Sequence, residues 1–164
     1  MKKQQGLTLL ELLIGLVIAS ILLIMANATF GNAGIECKPD GARPGYVTRA
    51  RIANAIGKLG EVNLKIQRFE LMHNRFPVSL DELNLPTPTD PWGNEYVFLS
   101  FKDVNGNGPK RKYKSQVPVN RYFDVYSMGP DGKTATPMVS QPGCDDILVA
   151  GDGYYVGVAY WFND

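Results

Sequence analysis

Residues 12–35 contain no charged side chain, and between Leu7 and Leu12 the only charge is Glu11. Within that run, LLIGLVIASILLIMANA (12–28) is almost wholly aliphatic. At 1.5 Å rise per residue, the ~20 residues that cross a ~30 Å hydrocarbon layer are available here. Lys2 and Lys3 precede the run and no basic residue follows until Lys38. Positive charge on that flank alone predicts a cytoplasmic N-terminus and an exported C-terminal portion. The remainder must fold on the far side of a membrane.

A secretory signal has an apolar core of about 7–15 residues and a small-x-small cleavage site beyond it. This run is longer, with Glu11 inside its leading edge. A plain membrane anchor explains the length but not the acid, which insertion scales penalise by about 2.5–3.5 kcal/mol at mid-membrane and less near the headgroups. A third reading gives the carboxylate a partner. If the chain is cut after Gly6, Leu7 becomes a free amine one helical turn from Glu11. In an assembly, the acid of one subunit then meets the amine of its neighbour. Two unit charges ~4 Å apart gain about 4 kcal/mol at an effective dielectric of 20, before desolvation. The pair also fixes the axial register of adjacent helices.

KKQQGLTLLELLIGLVIASILLIMA resembles the leader and membrane helix of type IV pilins and type II secretion pseudopilins. The resemblance rests on a basic leader ending in Gly6, then Leu7, Thr8 and Glu11. It implies cleavage after Gly6 by a prepilin peptidase and N-methylation of Leu7, where the family usually has Phe.

Beyond the anchor, FGNAGIECKPDGARP (30–44) is rich in Gly, Asn and Pro, and 31–45 reads as an inserted loop. Ile52, Ile56, Leu59, Val62, Ile66, Phe69 and Met72 then recur at steps of three and four, one face of an amphipathic helix closed by Asn74 and Pro77. The face opposite carries Arg51, Lys58, Glu61, Lys65 and Arg68, read as a solvated surface. Ser79 and Glu82 have capping-box spacing for a short helical turn through Leu83. Strands are expected at Tyr96–Phe101, Tyr122–Ser127 and Tyr154–Phe162, separated by NGNG and GPDG turns. One helix on three or four short antiparallel strands gives an α+β class. The division is therefore a leader (1–6), a membrane or filament-core helix (7–30), the loop (31–45) and a periplasmic globular domain (46–164).

This second half extends the resemblance. HNRFPVSLDEL is similar to a helix end and turn found in pseudopilins. DPWGNEYVF followed by FDVYSMGPDGK is similar to the DPWGNPY…YDLYSxGADG signature of the major pseudopilin family, general secretion pathway protein G. The long first helix of that family packs on a small C-terminal sheet, and the same pilin-like fold is implied here. The inserted loop and a longer tail depart from the family pattern.

Charge and composition limit the chemistry. Seventeen Lys and Arg face sixteen Asp and Glu, and removing Lys2, Lys3 and Glu11 leaves fifteen of each, so no nucleic-acid partner is expected. One His and two Cys leave little for a zinc or catalytic constellation, and His73 falls at a helix end as a cap. No phosphate loop or nucleophile elbow occurs, and an enzyme is not expected. The family resemblance implies a calcium ion held by Asp131, the Met128 carbonyl and one of Asp145 or Asp146; a Pro-Asp-Gly turn is the alternative account of Asp131. Residues 103–108 open like an EF-hand loop, but Lys114 stands where a bidentate Glu belongs, so a β-hairpin turn is the better reading. Cys37 and Cys144 are an even pair on the oxidising side of the membrane, which makes a disulfide the expected state and two buried thiols the other.

The expected role is a structural subunit of a type II secretion pseudopilus in the inner membrane and periplasm. The implied partners are other copies of itself, a prepilin peptidase, an inner-membrane assembly platform with its ATPase, and minor pseudopilins. A type IV pilin for adhesion, motility or DNA uptake is the alternative within the class. A membrane-anchored periplasmic binding domain or enzyme is the alternative outside it.

Overall fold

The structure is a computed structural model that describes residues 8–30, 37, 44–85 and 89–162. Gly6, Leu7 and most of the 31–45 loop lie outside the described residues. Helix α1 (Leu9–Phe30) starts at Thr8, whose hydroxyl accepts the Glu11 amide at 3.3 Å. The Glu11 carboxylate returns to both the amide and the hydroxyl of Thr8, each at 2.9 Å. Thr-x-x-Glu thus forms a complete capping box, satisfying helix-end amides that the chain cannot pair itself. Every described side chain from Leu9 to Met25 is exposed, Leu9 at 81% and even Ile21 at 50%. A helix apolar on all sides whose described side chains stay exposed, despite its contact with the following helix, requires lipid or other helices.

Helix α2 (Tyr46–His73) is amphipathic, as its spacing predicts. Ile52, Ala55, Leu59, Val62 and Ile66 are buried, whereas Met72 is exposed because the helix outruns the sheet beneath it. Asn74 ends it in the left-handed conformation at φ 52°. His73 bonds the Phe69 carbonyl at 3.0 Å and stacks on the Phe69 ring. The expected cap at Ser79 does not form: Leu80–Leu83 is a single 3-10 turn without a side-chain cap. Glu82 is drawn to Arg75 at 2.8 Å instead.

Four antiparallel strands follow in spatial order β1 (Val97–Ser100), β2 (Phe123–Ser127), β3 (Ile147–Ala150) and β4 (Tyr155–Val158). The α+β class and the pilin-like helix-on-sheet arrangement hold. β3 was not among the predicted strands, and the predicted third strand breaks at Val158 into a 3-10 turn, Ala159–Trp161. Alternate residues of β3 face opposite sides of the sheet. Ile147 and Val149 join the core under α2, while Leu148 and Ala150 join a second cluster with Val119, Met138 and Phe162. Both faces are covered, so all four residues are buried. The 103–108 segment belongs to the long connection between β1 and β2 rather than to a tight hairpin, and Lys110 reaches the Asn107 amide oxygen at 3.4 Å.

Candidate functional site

The two signature segments meet at the end of β2. Asp90 is buried and its Oδ1 accepts the amides of Trp92 at 2.9 Å and Asn94 at 2.8 Å. Its Oδ2 accepts the Ser127 hydroxyl at 2.6 Å, and the Ser127 oxygen accepts the Gly129 amide at 3.1 Å. DPWGN therefore works as a bracket for the loop that leaves β2. Gly129 has φ 65°, and a Cβ there would overlap the Asp145 carbonyl, so glycine is needed both for conformation and for close approach.

That loop presses on the segment Cys144–Asp145–Asp146, whose three side chains do different things. Asp145 Oδ2 accepts the Asp131 amide at 3.4 Å, while its buried Oδ1 has no hydrogen-bond partner. Burial first, then the nearby Asp131 charge, pushes the Asp145 carboxyl up to about 6. Asp131 is exposed and accepts its own turn amide, that of Lys133, at 2.8 Å. Both accounts of Asp131, turn residue and cation ligand, are compatible with that geometry. Asp146 Oδ2 takes Arg111 at 2.6 Å and Thr134 at 2.7 Å, while its buried Oδ1, like that of Asp145, has no hydrogen-bond partner. Burial pushes this carboxyl up to about 7, against the pull of the guanidinium and the hydroxyl.

Among the described residues, no group of three or more His, Cys, Asp or Glu side chains is placed to share a metal ion. A hard cation at Asp131 and Asp145 would depend on carbonyls and water for its other oxygens, which is within calcium's habit. The orphaned Asp145 Oδ1 and the two adjacent acids fit such an ion.

Arg111 is the centre of the surrounding polar network. Its guanidinium also bonds the Thr134 hydroxyl and the Ala135 carbonyl, and lies 3.7 Å from the Tyr126 ring centroid. Its backbone amide donates to the buried Asp124 at 2.8 Å, and Asn120 donates to the same carboxylate at 2.9 Å. Burial raises the Asp124 carboxyl above its ordinary value, opposed by these hydrogen bonds. Cys144 is joined to Cys37 by a disulfide with Cα atoms 6.0 Å apart.

Residues 1–27 match the family model described as the prokaryotic N-terminal methylation motif. The N-terminus is type IV pilin/pseudopilin-like. The motif implies a membrane-anchored chain processed by a prepilin peptidase, and it spans Gly6, Leu7, the Thr8–Glu11 box and most of α1. No curated protein and no solved structure matches the chain. Among the described residues, no helix is long and apolar enough to cross a membrane; the run of α1 with described side chains is 9–25.

Proposed function

We propose that this chain is a structural subunit of a type II secretion pseudopilus, cut after Gly6, methylated at Leu7 and polymerised from the inner membrane. The observation that carries the reading is the methylation motif, which runs into and covers most of a helix apolar on every side. α1 crosses the membrane as a stored monomer and bundles with other copies in the filament, Glu11 setting register against the neighbour's terminal amine. The α2–β head is periplasmic, and the platform, ATPase and minor pseudopilins act on it there. The DPWGN bracket and the Ser127–Asp131 loop support the secretion branch over a type IV pilin. The test is mass spectrometry of the protein from cells with an active prepilin peptidase. A methylated Leu7 terminus is expected; an intact Met1 overturns the reading and leaves a tethered domain.

Calcium is proposed for Asp131, Asp145 and the Met128 carbonyl, closing the loop in its assembly form. Both raised acids start from 3.8 in the unfolded chain. Between their unfolded and folded values the native state holds more protons than the unfolded one, so metal-free stability falls as pH rises through this window. In chelator, the melting temperature is expected to be higher at about pH 5 than at about pH 7.5, with calcium restoring the loss at the higher pH. Asp145→Asn should abolish the calcium response. A melt indifferent to calcium at about pH 7.5 removes the site.

A further inference from the structure

Where α2 ends, the chain turns through Arg75 and Phe76 and meets the segment leaving β1 and the one entering β2. Together they enclose an open cleft of about 320 Å³, at the lower end of the size range of ligand sites. Its floor is aromatic and held in place. The Phe76 ring stacks on Tyr122 with centroids 4.6 Å apart, and the Tyr122 carbonyl accepts the Phe101 amide at 2.9 Å. Tyr122 is nonetheless 48% exposed, so the floor is accessible. None of the lining residues belongs to α1 or α2.

The rim is basic. Arg75, Lys102 and Arg121 line the cleft, all three exposed, and no acid lines it with them. Lys110 adds a fourth positive charge beside the floor, its Nζ 4.8 Å from the Phe101 centroid. Two of the rim cations are oriented by acids outside the cleft. Arg75 bonds Glu82 at 2.8 Å, and Arg121 approaches Asp152 at 3.5 Å with its own side chain 80% exposed. Exposed pairs of this kind are weak, so both guanidinium groups keep donors for a second acid. Lys102 has no ion pair among the described residues. An occupant must therefore bring an apolar body together with negative charge.

The strand beside the cleft narrows the class of occupant. β1 lies at an edge of the sheet, and antiparallel partners alternate between bonded and non-bonded pairs. Phe101 bonds Tyr122, so Ser100, next to it and lining the cleft, turns its amide and carbonyl away from β2 toward the outer edge. Among the described residues neither group takes a main-chain partner there. Main-chain donors and acceptors beside a side-chain cleft suit an extended peptide, which complements both at once. A nucleic acid would need a longer basic track than these few cations, in a chain with seventeen basic against sixteen acidic residues.

We propose that this cleft docks an acidic, extended segment of another polypeptide. An aromatic side chain of that segment lies on the Phe76–Tyr122 floor, and flanking carboxylates meet Lys102, Arg121 and Arg75. Its backbone runs along the outer edge of β1 at Ser100. The inference goes beyond the filament reading and does not depend on it, since every group it uses belongs to the head of one chain.

The experiment passes the full chain in detergent micelles over immobilised biotinylated probes, read by surface plasmon resonance at low and high salt. The probe is the heptapeptide EDEFEDE. EDEAEDE lacks the aromatic anchor, KKKFKKK reverses the charge, and single-stranded oligothymidylate presents phosphates instead. EDEFEDE should bind about fivefold more tightly than EDEAEDE, and lose about tenfold between about 50 and 500 mM NaCl. KKKFKKK should not bind. K102E/R121Q should weaken EDEFEDE about tenfold and melt within about 3 °C of wild type, because both side chains are exposed. Arg121 is changed to Gln rather than to Glu because Asp152 stands 3.5 Å away. K102E alone, which has no ion pair to lose, should weaken binding about threefold. Undiminished binding by both variants overturns the site, as does equal binding of EDEFEDE and EDEAEDE or no binding of EDEFEDE by wild type. Tighter binding of oligothymidylate than of EDEFEDE overturns the peptide assignment in favour of nucleic acid.

Discussion

Arg111→Ala is expected to lower head stability by about 3–5 kcal/mol, the cost of stripping one partner from a buried ion pair. The side chains of Arg111 and Asp146 are 4% and 0% exposed, so water cannot replace the lost guanidinium. Domains of this size are held by about 5–15 kcal/mol, so about a fifth or more of the total is at stake. The melting temperature should fall by roughly 10–20 °C. The loss comes from the abandoned acid more than from the attraction between the pair, because taking two charges out of water nearly cancels that attraction. The double variant R111M/D146L should therefore melt above R111A, although it removes more charge. Thermal and urea melts of the three proteins in chelator decide the matter. If R111A melts within about 3 °C of wild type, Arg111 does not anchor the 134–146 loop.

The reach of the sequence can be judged on particular residues. The α2 stripe was legible because one face of a helix repeats every three or four residues, and Ile52, Leu59, Val62 and Ile66 do face the sheet. β3 was not, since ILVA is buried on both faces and lacks the alternation that marks a half-buried strand. The site's polar ties join distant parts of the chain. Asp90 to Ser127 and Arg111 to Asp146 are long-range pairs that no local pattern announces. Only topology brings them together. Two segments share the Ser/Thr-x-x-Glu spacing, and they part ways for a physical reason. Thr8–Glu11 opens a helix of 22 residues and closes its box. Ser79–Glu82 opens a single 3-10 turn, where a nearby guanidinium outcompetes the backbone amide for Glu82. The Thr8-x-x-Glu11 spacing ahead of the apolar run is itself the signal for the first box.

That box changes how Glu11 must be tested. Glu11→Ala is expected to be processed normally and to assemble poorly, but it removes both a cap and a charge. Losing the cap alone costs about 0.5–2 kcal/mol and loosens the start of α1. Losing the charge removes a register contact of about 4 kcal/mol before desolvation. Glu11→Gln separates the two, since its amide oxygen can still accept the Thr8 amide and hydroxyl that the carboxylate now takes at 2.9 Å. If Glu11 acts by pairing with a neighbour's terminal amine, E11Q should assemble nearly as poorly as E11A. Filament yield near wild type in E11Q would assign Glu11 to capping and leave register to the packing of the apolar helices. Thr8→Val tests the converse. It removes the hydroxyl that accepts the Glu11 amide at 3.3 Å but keeps the acid, so it should frustrate the cap and spare the charge pair. A charge-driven register therefore predicts filaments from T8V at a yield well above that of E11Q, and a cap-driven one predicts the reverse order.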